Sequence, residues 1–412
     1  LLLFFKKEDL SSFHPIAPRR MRRLPLLLGF LQAAGAISTD MYLPAFPAID
    51  RAFHAPAGSA QITLATWILG IAFGQLIQGA ISDRFGRRAP LLLGTCLYTV
   101  ASVGCALSGS IATLAAWRFV AALGGSASMI VPRAIVRDVS EGHAAARLMA
   151  RLILILGAAP ILAPSLGGLV LLVASWRSIF WITTLYGALA ILLTAAFLPD
   201  TQRREHRVAI DVATLLSRYR LILGERAFIT NALILGFGAF ALFAYLGGMP
   251  VAFIVQYHYT PSGFAIVFGC VAASYIGASQ MNMILVRAVG LNRALSLAVS
   301  AYLGLVGIVF AVALADHHTP LVGPIGFALS LALAQSITGF ILPTATVGAL
   351  HAHAAHAGSA SAVLGTQQFL IGACGGLLTG LLSDGTSLPT ASLMLAGACA
   401  MKIADLCRPT TG

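Results

Sequence analysis

The feature that most constrains this chain is the recurrence, from end to end, of apolar runs about 20 residues long, the length a helix needs to cross a hydrocarbon core. Read between charge clusters, they place helices at approximately 24–49, 60–82, 89–110, 112–136, 149–172, 177–198, 228–255, 262–286, 292–315, 319–349, 358–383 and 387–404. Of the 412 residues, 58% are hydrophobic and only 10% charged, where a soluble domain is about a quarter charged. Barrel strands alternate in polarity and are only about 10 residues long, so a β-barrel is excluded. The expected fold class is an all-α membrane protein with twelve transmembrane helices. The runs 24–49 and 319–349 are the long ones and contain prolines, so kinks or extended ends are expected there.

Charge placement sets the orientation. With the N-terminus inside, six Lys and Arg precede residue 24, three lie at 84–88, four at 133–151, six at 203–226, two at 287–293 and two near the C-terminus. These 23 inner cations face only Arg51 and Arg177 outside, with Arg118 alone inside a span. The positive-inside rule then puts both termini in the cytoplasm. The net charge of +12 is accounted for by topology, with no nucleic acid as partner. The six cysteines have no CxxC spacing and sit mostly within apolar runs, as small core residues do.

The longest polar segment, 199–227, divides six spans from six, and "SDRFGRRAPL" after the second span has a worn counterpart, "LVRAVGLNRAL", after the eighth. The expected organisation is an N-terminal tail at 1–20, non-native or disordered because "MRRLPLLLGF" at Met21 reads as a start; one six-helix half at 21–198; a basic cytoplasmic linker at 199–227; a second half at 228–405; and a tail at 406–412. Two pseudo-symmetric halves joined by such a linker suit a secondary transporter with its site between them.

Asp40 is the one acid deep in an apolar run; the other acids fall at span ends, in loops or in termini. Burial disfavours the charged form of a carboxyl, which suits reversible proton binding, so Asp40 is the candidate proton carrier. The competing reading sets it in the outer headgroup region. Pro44 and Pro47 follow and are expected to free backbone carbonyls beside it. Arg118 lies about seven residues from the outer end of the fourth span, or roughly 10 Å deep, a depth similar to that of Asp40. A direct or water-bridged pair between them is possible; a tie from Arg118 to backbone carbonyls is the alternative. Pro160, Pro164, Gly167 and Gly168 give the fifth span a bend and a smooth face for close packing. His351, His353 and His356 sit in the linker after the tenth span without a Cys or acid beside them, and read as solvated residues, not metal ligands. Tyr42, Trp67, Phe240, Phe243, Tyr245, Tyr275, Gln335 and Gln367 are candidate substrate contacts, each also readable as packing. A cavity with one acid suits neutral or singly cationic amphipathic molecules. No cofactor is implied beyond the proton as coupling ion, and the chain is expected to act as a monomer in the bilayer.

Four stretches carry a resemblance. "GAISDRFGRRAPLLLG" (79–94), "DMYLPAFPAI" (40–49), "RFVAALGG" (118–125) with "PRAIVRD" (132–138), and "APSLGG" (163–168) resemble motifs of the major facilitator superfamily, and within it of the Bcr/CflA-type drug:proton antiporters. The resemblance spans residues 21–405 and implies export of small antimicrobial-like compounds in exchange for protons by alternating access. It implies that Asp83 sits near the cytoplasmic start of the eleventh span and that an arginine of the loop reaches Asp138. Gly79, Asp83, Arg84, Gly86, Arg87, Arg88 and Asp138 would then latch the inner side, with Pro164, Gly167 and Gly168 in coupling. Two positions depart from the pattern: Ala121 stands where the family usually has Gln, and Ala163 where it usually has Gly. Within transport, the alternative is proton-coupled movement of a metabolite such as a sugar. Outside it, the alternative is a membrane-embedded enzyme or sensor, but the spans show neither a nucleophile–base pair nor two catalytic acids, and no loop is long enough for a sensor domain.

Overall fold

The computed structural model describes residues 24–139, 142–198, 212–317, 321–351 and 357–409. The 1–20 tail, residues 199–211 of the polar linker, His353 and His356 lie outside them. Every long element among the described residues is helical: α1 (Leu24–Asp40), α2 (Phe46–Ala52), α3 (Ser59–Phe85), α4 (Arg88–Ala106), α5 (Ile111–Val139), α6 (Gly142–Val173), α7 (Arg177–Phe197), α8 (Val212–Leu223), α9 (Arg226–Pro250), α10 (Pro261–Val289), α11 (Leu291–Ala315), α12 (Gly323–Leu350), α13 (Ala357–Leu381) and α14 (Leu388–Leu406).

Local sequence explains where these helices stop. Pro44 has no N–H for the carbonyl of Asp40, and α1 ends at that residue. Pro47 likewise cannot serve Leu43, whose carbonyl accepts from Phe46 in a 3₁₀ turn, Leu43–Ala45, before α2 resumes the path. The first span is therefore a broken helix. Gly86 links α3 to α4 at φ 90°, a left-handed conformation that favours glycine. Thr260 caps α10 by accepting from Gly263 N at 3.1 Å, with Pro261 at the first helical position. No break is seen at Pro343: one helix runs from Gly323 through it to Leu350.

Ten helical segments among the described residues are long and apolar enough to cross a membrane. The other two long helices are α6, whose described apolar part is Ile161–Val173, and α14, which carries Lys402 and Asp405 near its end. Large side chains such as Leu93, Leu185 and Ile325 stand exposed on the helix faces, a surface that suits lipid and not water. The polar linker also holds more structure than its composition suggests, because α8 is helical and packs against α9 and α13.

The same neighbour pattern occurs twice. In the first half α1 packs on α6, α3 on α5, and α4 on α5 and α7; in the second, α9 packs on α13, α10 on α12, and α11 on α12 and α14. The halves meet along α3 with α13 and α6 with α10. Small residues let these seams close. A methyl added to Gly376 would reach the Ala65 Cβ at 3.6 Å, and one added to Gly168 would come within 3.1 Å of the Pro261 carbonyl.

Candidate functional site

Four acids in the described helices and their caps are nearly buried: Asp40, Asp50, Asp316 and Asp405. Three of them are fully engaged. Asp50 accepts the backbone N–H of Gly58 and Ala60 at 2.9 and 2.7 Å, capping α3. Asp316 accepts from Val322 N, Gly323 N and the Tyr257 hydroxyl at the start of α12. Asp405 pairs with Lys402 and Arg408 and accepts from Ser296, tying α14 to α11. Asp40 is 6% exposed and has no hydrogen-bond or ion-pair partner among the described residues. Burial alone does not single it out. Lack of a partner does.

Arg118 of α5 is 3% exposed, and its Nε and Nη2 have no hydrogen-bond partner among the described residues. Its guanidinium lies over the rings of Tyr42 at 4.1 Å, Trp67 at 4.3 Å and Phe180 at 5.9 Å. Such contacts are worth about 2 kcal/mol or more when desolvated, so the rings offset part of the cost of burying the charge. The possible pair with Asp40 is not formed. The aromatic box takes the cation, while Asp40 lies within electrostatic reach of Tyr245 on α9, across the boundary between the halves.

The broken first span is held closely from α6. A Cβ added at Gly167 would overlap the Met41 carbonyl, one residue past Asp40. Pro164 and Ala163 are buried beside it. Gly167 thus faces the break within the first half, whereas Gly168 faces α10 of the second.

At the end bearing Gly86, Arg87 donates through Nε to Asp138 at 2.7 Å and through Nη2 at 3.3 Å, and through Nη1 to Ser82 at 3.0 Å. This pair braces the turn against α5 within one half. Arg88 donates to the Ala195 carbonyl of α7 at 2.6 Å, and Arg84 is exposed over Phe85. Gly79 and Asp83 lie on α3, but their surroundings fall outside the described side chains.

The structure scatters the other candidates. Tyr42 and Trp67 form the Arg118 box, and Tyr245 stacks on Phe268 near Asp40. Phe243 meets Phe369 between α9 and α13, where Gln367 donates to the Ala232 carbonyl. Gln335 is buried with its Nε2 unpartnered, and Tyr275 presents its carbonyl to Gly339. Phe240 presents its carbonyl to Gly375. Sequence reading missed Ser38, Thr39, Tyr98 and Phe180, all of which touch this layer. The Ser-Thr pair directly before Asp40 was the available signal; nothing in sequence marks Tyr98 or Phe180.

The family model described as Major Facilitator Superfamily matches residues 28–401. An uncharacterized MFS-type transporter YdgK of Bacillus subtilis is 34% identical over 374 residues, 90% of this chain and 91% of that protein. A bicyclomycin resistance protein homolog of Haemophilus influenzae is 27% identical over 375 residues, 91% and 92% of the two chains. Among solved structures, a D-xylose-proton symporter superposes with a TM-score of 0.75 at 15% identity, covering 92% of this chain and 97% of that one, a likeness of fold.

Proposed function

The chain belongs to the Major Facilitator Superfamily and is a multi-pass membrane transporter, not an enzyme; on that premise we propose that it exports small amphipathic antimicrobial compounds across a bacterial inner membrane in exchange for protons. The observation that carries this reading is Asp40: a nearly buried carboxyl with no partner among the described residues, beside a helix break and near the boundary between the halves. A side chain so placed changes charge only by exchanging a proton. The relative named for bicyclomycin resistance supports drugs as the cargo class.

In this account α6 and α14 complete twelve crossings and both termini are cytoplasmic, in keeping with the charge bias. Coupling arises because protonation of Asp40 favours one facing state over the other; without that difference no gradient could drive transport. Arg118 holds Tyr42, Trp67 and Phe180 in place around the site. Gly167 transmits movement of the first-span break to α6. The segment 79–88, with Asp138, holds the inner end. Aromatic and amide side chains, Tyr245, Phe243, Gln335 and Gln367 foremost, receive the amphipathic cargo.

The test is expression in a pump-deficient bacterium, with an inhibition panel of amphenicols, bicyclomycin, sulfonamides and lipophilic cations. It is followed by flux measurements in liposomes for each compound tolerated. The proposal expects raised tolerance to at least one compound and recovery of that compound chemically unaltered. No tolerance, with pH-driven uptake of a sugar instead, would replace drug export with metabolite transport.

A further inference from the structure

The last turn of α1 carries three consecutive polar side chains, Ser38, Thr39 and Asp40. A helix advances about 100° per residue, so neighbours along it face different elements. Ser38 Oγ lies 2.6 Å from the Tyr98 hydroxyl of α4. Thr39 Oγ1 accepts the indole N–H of Trp67 on α3 at 3.0 Å and donates to the Gly35 carbonyl at 2.8 Å. Asp40 alone of the three has no partner among the described residues.

Both partners are themselves fixed. Tyr98 and Trp67 are 3% and 1% exposed and meet edge to face, with ring centroids 6.4 Å apart. A methyl on Gly125 of α5 would touch them at 3.3 and 3.4 Å, so α5 backs both rings. Trp67 is further held under the Arg118 guanidinium. Neither ring can swing away without unpacking three helices.

We propose that the pairs Ser38–Tyr98 and Thr39–Trp67 are positioning contacts: they fix the rotation of the broken end of α1 so that Asp40 faces the second half without a partner. This rests on the reading of Asp40 as the proton carrier. If the turn were free to rotate, Asp40 would come within reach of the hydroxyls and indole that now serve its neighbours. Donors to the charged form of a carboxyl change its proton affinity, so the pairs protect the affinity as well as the direction of Asp40. The titratable and charged groups around the turn, in the described parts of the elements packed about it, are Tyr98 on α4, Arg118 on α5, Tyr245 on α9 and Tyr42 just beyond the break. Tyr186 of α7 binds further along α1, at the Phe30 carbonyl.

The test titrates the carboxylic acid band of the full chain in lipid by infrared spectroscopy, with Asp40→Asn identifying the band and pH as the only ligand. Thr39→Val and Tyr98→Phe each keep the packing and remove one hydrogen bond. Each should move the midpoint of the Asp40 band by about half a pH unit, a change of roughly threefold in proton affinity, and Thr39→Ser should restore it. A merely structural role would alter yield and leave the midpoint in place. Folded Thr39→Val and Tyr98→Phe proteins with wild-type midpoints would overturn the inference while leaving Asp40 as carrier. A titration that Asp40→Asn does not change would overturn the carrier reading, and this inference with it.

Discussion

Gln61 offers a quantitative check on how the two halves close. It sits in the first turn of α3, fully buried, and neither atom of its amide has a hydrogen-bond partner among the described residues. Methyl groups added at Gly380 of α13 and Gly247 of α9 would reach its Cβ at 3.3 and 3.9 Å, so it lies where the first half meets the second. A buried polar group left unsatisfied costs about 1–3 kcal/mol. Gln61→Met keeps the length and removes both polar atoms, at a cost in shape of less than about 1.5 kcal/mol. Because the amide nitrogen and oxygen are each unsatisfied, the penalty applies twice, and after the cost in shape the net gain should be about 2 kcal/mol for the closed arrangement. For a cooperative unit the size of one half, that raises the midpoint of thermal unfolding by roughly 4–8 °C. Because the gain belongs to a state in which this seam is shut, turnover in liposomes should fall as stability rises. The assay is thermal unfolding of purified protein followed by tryptophan fluorescence, with flux measured on the same preparation. An unchanged or lowered midpoint would show that the amide is satisfied in the folded protein and that the seam is not strained there.

Other consequences follow from the same geometry. Arg87→Gln, Asp138→Asn and their combination should give a coupling energy of about 2 kcal/mol, between the values for exposed and buried pairs; additive losses would mean that the 2.7 Å contact adds no stability. Gly167→Ala should lower activity at least tenfold, because its methyl overlaps the Met41 carbonyl, whereas Gly168→Ala, with its nearest contact at 3.1 Å, should be milder; equal activities in liposomes would refute the coupling contact. Reporter fusions after residues 54, 175 and 317 should report periplasm and those after 142, 210 and 354 cytoplasm; a periplasmic signal at 210 would end the twelve-span reading.

The helical membrane fold was legible because its cause is one-dimensional: apolar length and cation placement survive in the bare sequence. The break after Asp40 was legible for the same reason, since Pro44 withholds its N–H from the residue four back, whereas Pro343 leaves α12 continuous. What sequence could not give, Asp138 apart, is the partner of a polar side chain. Asp50 and Asp316 read as loop acids, yet each caps a helix whose start lies several residues further on. Arg118 and Asp40 were set at one depth, and their separation depends on Tyr42, Trp67 and Phe180 converging from three different spans. Tyr98 and Phe180 carried no pattern at all, because a contact between spans has no periodicity to read. The family motifs marked Gly167 and implied that an arginine of the loop reaches Asp138; the fold identifies that arginine as Arg87 and shows Gly167 against a carbonyl at the first-span break.

The central claim is that Asp40 carries the proton exchanged for cargo. Its most direct measurement is proton release from detergent-solubilised protein in weak buffer, on addition of a compound identified by the resistance panel. The wild type should release protons on binding. Asp40→Asn keeps shape and polarity but cannot titrate; it should bind an uncharged compound, release nothing and fail to export against a gradient. An Asn variant that releases protons like the wild type and still exports against a gradient would contradict the account.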